Sequence, residues 1–227
     1  MRSILTFTAI GCFVATAAFA ELSKDEVTRL REGAAILTEL RGSPDKGIPE
    51  DLWKRAECVL VIPSVKKAAF IVGGQFGRGF ASCRKNAGHF GAPAAIKMEG
   101  GSFGLQLGGQ STDVIMLVMN RRGMEKLATD KFTIGGDASA AAGPVGRTGA
   151  ADTDILLHAE ILSYSRTRGV FAGVSLDGTV VSHDGSEDRK LYGHEVSNQA
   201  VLTGEVPAPV AARALIAELD RYSPAKH

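Results

Sequence analysis

The chain has 227 residues, 44% of them hydrophobic and 22% charged, with 26 Lys and Arg against 25 Asp and Glu. That near-neutral balance lacks the clear basic excess of a nucleic-acid binder and sets that class aside. The length suffices for one sizeable core, and no Ser/Pro/Gln-rich linker divides it.

Residues 1–20 read as a signal peptide rather than part of the fold. Arg2 makes a short positive start, Ile4 to Val14 form an apolar run, and Ala18-Phe19-Ala20 fits an A-x-A cleavage site. The run is too short to be a convincing membrane span. Cleavage near Ala20 makes Glu21 the first mature residue and predicts export across a bacterial inner membrane, to a periplasmic or secreted location. It also removes Arg2, leaving 25 bases against 25 acids and a net charge of zero. Lipoprotein anchoring through Cys12, after Ala9-Ile10-Gly11, is the alternative. Only eleven residues precede Cys12, however, and Ala9 stands where a bulkier aliphatic residue is usual.

Leu22, Val27, Leu30, Ala34, Leu37 and Leu40 recur at helical spacing and predict a helix over 22–41, stopped by Gly42-Ser43-Pro44. Between Glu21 and Arg41 five acids face four bases. A net −1 helix is not drawn to an anionic leaflet by charge, so its apolar stripe is read as packing on the domain core. The organisation expected is therefore a signal peptide over 1–20, a helix and linker over 21–48, the main domain over 49–222 and a tail over 223–227. Pro49 opens a short helix through Arg55.

Strand character follows. Residues 58–62, 68–83, 88–98, 102–109 and 112–119 are β-branched, aromatic and punctuated by glycine, with a hairpin turn expected at Asn86-Ala87-Gly88. Cys58 and Cys83 border these strands. In an oxidising compartment they pair as a disulfide; the alternative is two separate buried thiols acting as small apolar residues. Asn120 can cap a short helix that turns Met124 and Leu127 inward. Residues 135–149 read as an Ala/Gly loop, strands resume over 155–165, 170–176 and 179–183, and the last part is helical, with Val210, Leu215, Ile216 and Leu219 as its apolar side. Gly73-Gly74-Gln75-Phe76-Gly77 echoes Gly100-Gly101-Ser102-Phe103-Gly104, and glycines inside strands mark bends or close backbone approach. The fold class expected is α+β: a β-rich, curved or barrel-like antiparallel sheet flanked by N- and C-terminal helices.

Signals for catalysis are thin. Gly100-Gly101-Ser102-Phe103-Gly104 satisfies G-x-S-x-G, but the nucleophile elbow needs a strand-turn-helix context and the residues after it alternate like a strand. Gly143 to Gly149 is the nearest imitation of a phosphate loop, with Ala141 at its head and Arg147 in place of lysine. His89, His158, His183 and His194 show no metal-ligand spacing and read as solvated surface residues. Asp113, Asp137, Asp152 and Asp154 are acids without a known mutual distance. No catalytic residue, metal or cofactor is predicted.

Several blocks resemble one known family. Tyr164-Ser165-Arg166-Thr167-Arg168-Gly169-Val170-Phe171-Ala172-Gly173 looks like the hallmark segment of the SYLF domain, a lipid-binding family also named for a yeast Ysc-type actin-binding protein. Val61 to Phe70, the glycine-aromatic pattern over 73–79, Gly100 to Gln106, Ser111 to Asn120, and Gly135 to Arg147 are similar to its other blocks, so the resemblance covers roughly 50–220. It implies a β-rich fold, no reaction, and an anionic phospholipid or membrane surface as partner, with an envelope protein partner as the alternative. Eukaryotic members bind phosphoinositide membranes with help from a basic N-terminal helix, which the acidic helix here does not match. Phosphoinositides and actin are not expected ligands in a bacterial periplasm. The residues that fit a lipid surface are cations near predicted element ends: Lys66, Lys67, Arg84, Lys85, Arg121, Arg122, Arg147, Arg166 and Arg168. Each engaged cation contributes ~1 kcal/mol at an anionic leaflet. Four therefore give only a millimolar-scale affinity, about 4 kcal/mol, and an inserted apolar element or a second binding mode is needed.

Overall fold

Alternating apolar residues run along the central strands on both sides, and the sheet they build is covered on both faces. In the computed structural model, which describes residues 24–42, 47–69, 73–85, 88–102, 110–146, 158–167 and 169–222, nine strands form a strongly curled half-barrel. They are β1 (Cys58–Ala69), β2 (Gly73–Cys83), β3 (Ala94–Ser102), β4 (Gln110–Val118), β5 (Lys131–Thr133), β6 (Ala140–Ala142), β7 (Ile161–Thr167), β8 (Val170–Gly173) and β9 (Val180–His183). Their order is β5-β9-β3-β2-β1-β4-β7-β6, with β8 also pairing β7. Every pairing is antiparallel except β6 with β7. With its terminal helices this is the α+β architecture expected.

The period of two splits β1 between two cores. Val59 and Val61 join Phe80, Ile115 and Leu117 on one face, under helices α1 (Lys24–Arg41), α2 (Glu50–Arg55) and α6 (Arg213–Tyr222). Leu30, Ile36, Leu37 and Leu40 of α1 and Leu215 and Leu219 of α6 belong to this core, so the stripe on α1 is spent on packing. Cys58, Leu60 and Ile62 point the other way, with Ala81, Met98, Val114 and Met116. That face is closed by Leu127 of α3 (Arg121–Leu127) and by Val201 and Leu202 of α5 (Asn198–Leu202).

One bulge bends β1 where it meets both neighbours. Register slips between Val61 and Lys66 against β2 and between Ile62 and Val65 against β4. Ser64 takes the left-handed conformation there, with φ 52°, and its amide donates to Asp113 Oδ1 at 2.9 Å. Gly79 permits the close approach: a Cβ at that position would run into the Val61 carbonyl oxygen.

Several boundaries differ from the expectation. β1 runs unbroken to Ala69, because the bulge carries the strand through Pro63-Ser64. β3 begins at Ala94, not Gly88; the segment before it makes only an isolated antiparallel bridge, Phe90 with Arg84, and the Gly88 carbonyl accepts from the Arg84 side chain. The Ala/Gly loop contains β6, whose small residues lie parallel against β7. Val210 is 70% exposed rather than part of an apolar side. Helix α4 (Gly185–Tyr192), rich in charge, opens the helical last part of the chain. The Asp184 side chain caps it by accepting from the Glu187 amide, and Gly193 ends it at φ 78°. Asn120 Oδ1 accepts from the Gly123 amide at 3.0 Å and caps α3. Cys58 and Cys83 stand directly opposite each other on β1 and β2, joined as a disulfide with their Cα atoms 4.0 Å apart. The signal peptide, Cys12, Asn86-Ala87, residues 103–109, Asp152 and Asp154 lie outside the described residues.

Candidate functional site

Antiparallel pairing decides where the cations go. Lys66 and Lys67 lie toward the end of β1, while Arg84 and Lys85 follow the end of β2, and successive antiparallel strands end on opposite sides. The seven described cations therefore do not all lie at one end of the sheet. Lys66, Lys67 and Arg166 fall at the end from which the β1–β2, β3–β4 and β7–β8 connections leave, here called the hairpin end. Arg84, Lys85, Arg121 and Arg122 fall at the opposite, disulfide end. Arg147 and Arg168 lie outside the described residues.

Arg84 is committed to the interior of the protein. Its Nε donates to Ala56 O at 2.8 Å, Nη1 to Gly88 O at 2.5 Å and Nη2 to Trp53 O at 3.1 Å, and the guanidinium sits 4.4 Å from the Phe90 ring centre. Burial pulls its pKa down, against the nearby Glu57 and Asp220 carboxylates. A planar fork that satisfies three carbonyls is a structural staple. Arg166 is engaged as well. It pairs with Glu39 of α1 and, at 3.3 Å, with Asp113, the carboxylate that also holds the Ser64 amide. Arg166 thus links helix α1 to the bulge.

The remaining cations are more open. Lys66 is exposed and Lys67 half-buried, and neither has an ion-pair partner among the described residues. Arg121 and Arg122 have side chains 89% and 85% exposed and pair with Glu125 at 3.1 Å and Glu160 at 3.5 Å. Lys85 is exposed at its end and runs its stem past Gly91 and Gly204.

The hairpin end also carries exposed apolar groups. Phe76, 42% exposed, lies directly across from Lys66. Val170, 67% exposed, stands opposite Thr167 at the start of β8. The sequence did signal Phe76, through its glycine-aromatic-glycine setting, but as a bend marker and not as a surface group.

A buried acidic cluster lies under α4, and the sequence reading missed it. Asp184, Glu187 and Asp188 are buried, as is Glu26 of α1. Arg29 pairs with Glu187, Arg78 with Asp184 at 3.2 Å, and Lys190 with Glu26 at 3.0 Å. His183 is not a solvated residue: its side chain is 12% exposed, with Nε2 2.8 Å from Asp188 Oδ2. Asp188 also accepts the Ala95 amide at 2.8 Å, yet burial still pushes its pKa up. These contacts lock α1 and α4 onto β2, β3 and β9. Among the described residues no group of three or more His, Cys, Asp or Glu is arranged to hold a metal, and no helix is long and apolar enough to cross a membrane. Ser102 closes β3 opposite Gly73, a strand position.

Comparison with known proteins gives a consistent result. A family described as "Ysc84: Las17-binding protein actin regulator" matches residues 99–222. SH3 domain-containing YSC84-like protein 1 of Xenopus laevis is 32% identical over 200 residues, covering 85% of this chain and 59% of the relative. The protein of the same name from Homo sapiens is 31% identical over 199 residues, covering 85% and 58%. Protein YSC84 of Saccharomyces cerevisiae is 32% identical over 179 residues, covering 78% and 38%. The chain thus spans less than two thirds of the length of these relatives. It belongs to the Ysc84, or SYLF, family.

Proposed function

We propose that this SYLF-family chain is a non-enzymatic, exported module, periplasmic or secreted, that contacts anionic phospholipid headgroups through the hairpin end of its sheet. One observation carries the reading. Of the cations at that end, Arg166 is bound internally, whereas Lys66 and Lys67 stay unpaired among the described residues, Lys66 across from an exposed phenylalanine. Lysines on flexible stems beside an apolar ring suit a headgroup layer, where the stem packs and the ammonium reaches phosphate.

Flotation of the mature protein with vesicles tests this. Phosphatidylglycerol vesicles should retain it and phosphatidylcholine vesicles should not, with retention falling as salt rises. Two engaged lysines at ~1 kcal/mol each correspond to about a 30-fold preference. Equal recovery on both lipids would overturn the headgroup reading.

A second reading, a protein-interaction or envelope scaffold module, is favoured by the description of the matched family as Las17-binding and by the SH3 domains in the relatives' names. A crosslinked partner recovered from periplasm without retained lipid would support it over the first.

A further inference from the structure

The helical layer does not cover the whole of its face of the sheet. Val61 and Phe80 are buried in the first core, with Gly33 of α1 lying against Val61. Nearer the hairpin end the same face is open: Phe76 and Arg78 are exposed, while Gly77 and Gly79 on the other side are buried. Directly opposed residues share a face, so the strand registers trace how far this opening runs. Phe76 is opposed to Lys66 and to Glu99, Arg78 to Lys97, Lys97 to Ser182, and Ser182 to Lys131. The alternate residues Met98, Val181 and Phe132 belong to the second core. One face therefore displays Lys66 on β1, Lys97 on β3 and Lys131 on β5.

These lysines form an evenly spaced strip. Each stands two strands from the next in the order β5-β9-β3-β2-β1, roughly 10 Å across the sheet at the usual strand separation. Lys66 and Lys131 are exposed and Lys97 is half-buried, and none has an ion-pair partner among the described residues. Arg78, in the middle of the strip, is already held by Asp184 at 3.2 Å and Glu187 at 3.7 Å. Glu99 opposes the lysines: it is exposed beside Phe76 and also without an ion pair among the described residues. Asp130 precedes Lys131 but lies with His183, its Oδ1 4.0 Å from His183 Nδ1. His183 is opposed to Ile96 of the second core, so that acid belongs to the other face.

From this placement we infer that the lipid contact runs from the hairpin end onto this one face, where Lys66, Lys97 and Lys131 meet anionic headgroups around Phe76. The inference rests on the lipid reading above and gives it a face, two further lysines and an opposing acid. Ammonium groups spread over roughly 20 Å cannot all close on one phosphate at hydrogen-bond distances of about 3 Å. The arginine fork that clasps a single phosphate is committed to α4 and its cap. A layer of headgroups answers all three lysines at once, and its apolar boundary takes the Phe76 ring, which an acidic polypeptide leaves unmatched. Because α1 stands on the same face deeper in the sheet, the face meets the bilayer obliquely, with the hairpin end foremost.

Titration with phosphatidylglycerol vesicles tests the assignment on the native chain, K97E/K131E, E99Q and R121E/R122E. At about fivefold per lysine, K97E/K131E should weaken binding by roughly 30-fold or more. R121E/R122E changes the net charge equally but lies at the disulfide end, and should bind like the native chain. E99Q should tighten binding by about fivefold, a gain that a damaged protein cannot imitate. Native binding by K97E/K131E, with K66E/K67E weakened, would overturn the face and leave the hairpin-end contact standing. No tightening in E99Q would also overturn it. So would release by sodium phosphate beyond that by sodium chloride at equal ionic strength, which marks a single-anion site. No flotation on any lipid would remove the lipid reading and this inference with it, and capture on polyglutamate beads would then assign the face to an acidic polypeptide.

Discussion

Cations with similar sequence settings have different roles, and the difference is set by what each guanidinium or ammonium meets. Arg84 donates to three backbone carbonyls, those of Ala56, Gly88 and Trp53, and so ties three segments together. R84A should therefore cost about 2–4 kcal/mol in chemical denaturation, whereas K66E/K67E should change stability by no more than ~0.5 kcal/mol. Equal stability losses in the two variants would show that the lysines, too, are structural. Asp188 gives a pH-dependent counterpart. Its carboxyl holds its proton more tightly folded than unfolded because burial penalises the charge, despite His183 and the Ala95 amide. Its contribution to stability is thus present at low pH and is lost as pH rises from the ordinary aspartate value through the raised one. In urea melts between acid and neutral pH, D188N should gain relative to the native protein as pH increases; a constant difference would contradict this.

Among the elements, the helices and strands with regular apolar periods were readable in advance, and those defined by tertiary contacts were not. The α1 stripe from Leu30 to Leu40 is legible because it has a helical period and one buried side. The β1–β4 strands are legible because β-branched residues and glycines accumulate there. β6 was invisible, since Ala140-Ala141-Ala142 has no strand signal and is held by its parallel pairing with β7. What was hidden at helix α4 is the pairing of its buried Glu187 with arginines contributed by α1 and β2. The site was legible only in part: residue type picked out Lys66 and Lys67, but the division of the cations between two ends depends on the antiparallel path. At this scale the Cys58–Cys83 bridge, with 25 residues of sequence separation, ties the two strands at the end opposite the hairpins. Its loss in C58A/C83A should lower stability by roughly 3 kcal/mol on the chain-entropy account, without affecting vesicle binding by the folded fraction. A melt unchanged by the double substitution would show that strand pairing alone fixes that end.

For the whole molecule, the helices α1, α2 and α6 cover one face, α3 and α5 close the other, and the disulfide end is stapled by Arg84. At the hairpin end Lys66, Phe76 and Val170 are exposed. On the proposed lipid reading the chain would meet a membrane by this end, through local lysines rather than through its net charge of +1. The measurement that tests this most directly is flotation on phosphatidylglycerol vesicles of three proteins side by side: the native chain, K66E/K67E at the hairpin end and R121E/R122E at the disulfide end. The account predicts that K66E/K67E loses binding while R121E/R122E floats like the native chain. Loss in R121E/R122E with K66E/K67E unaffected, or equal loss in both, would contradict it.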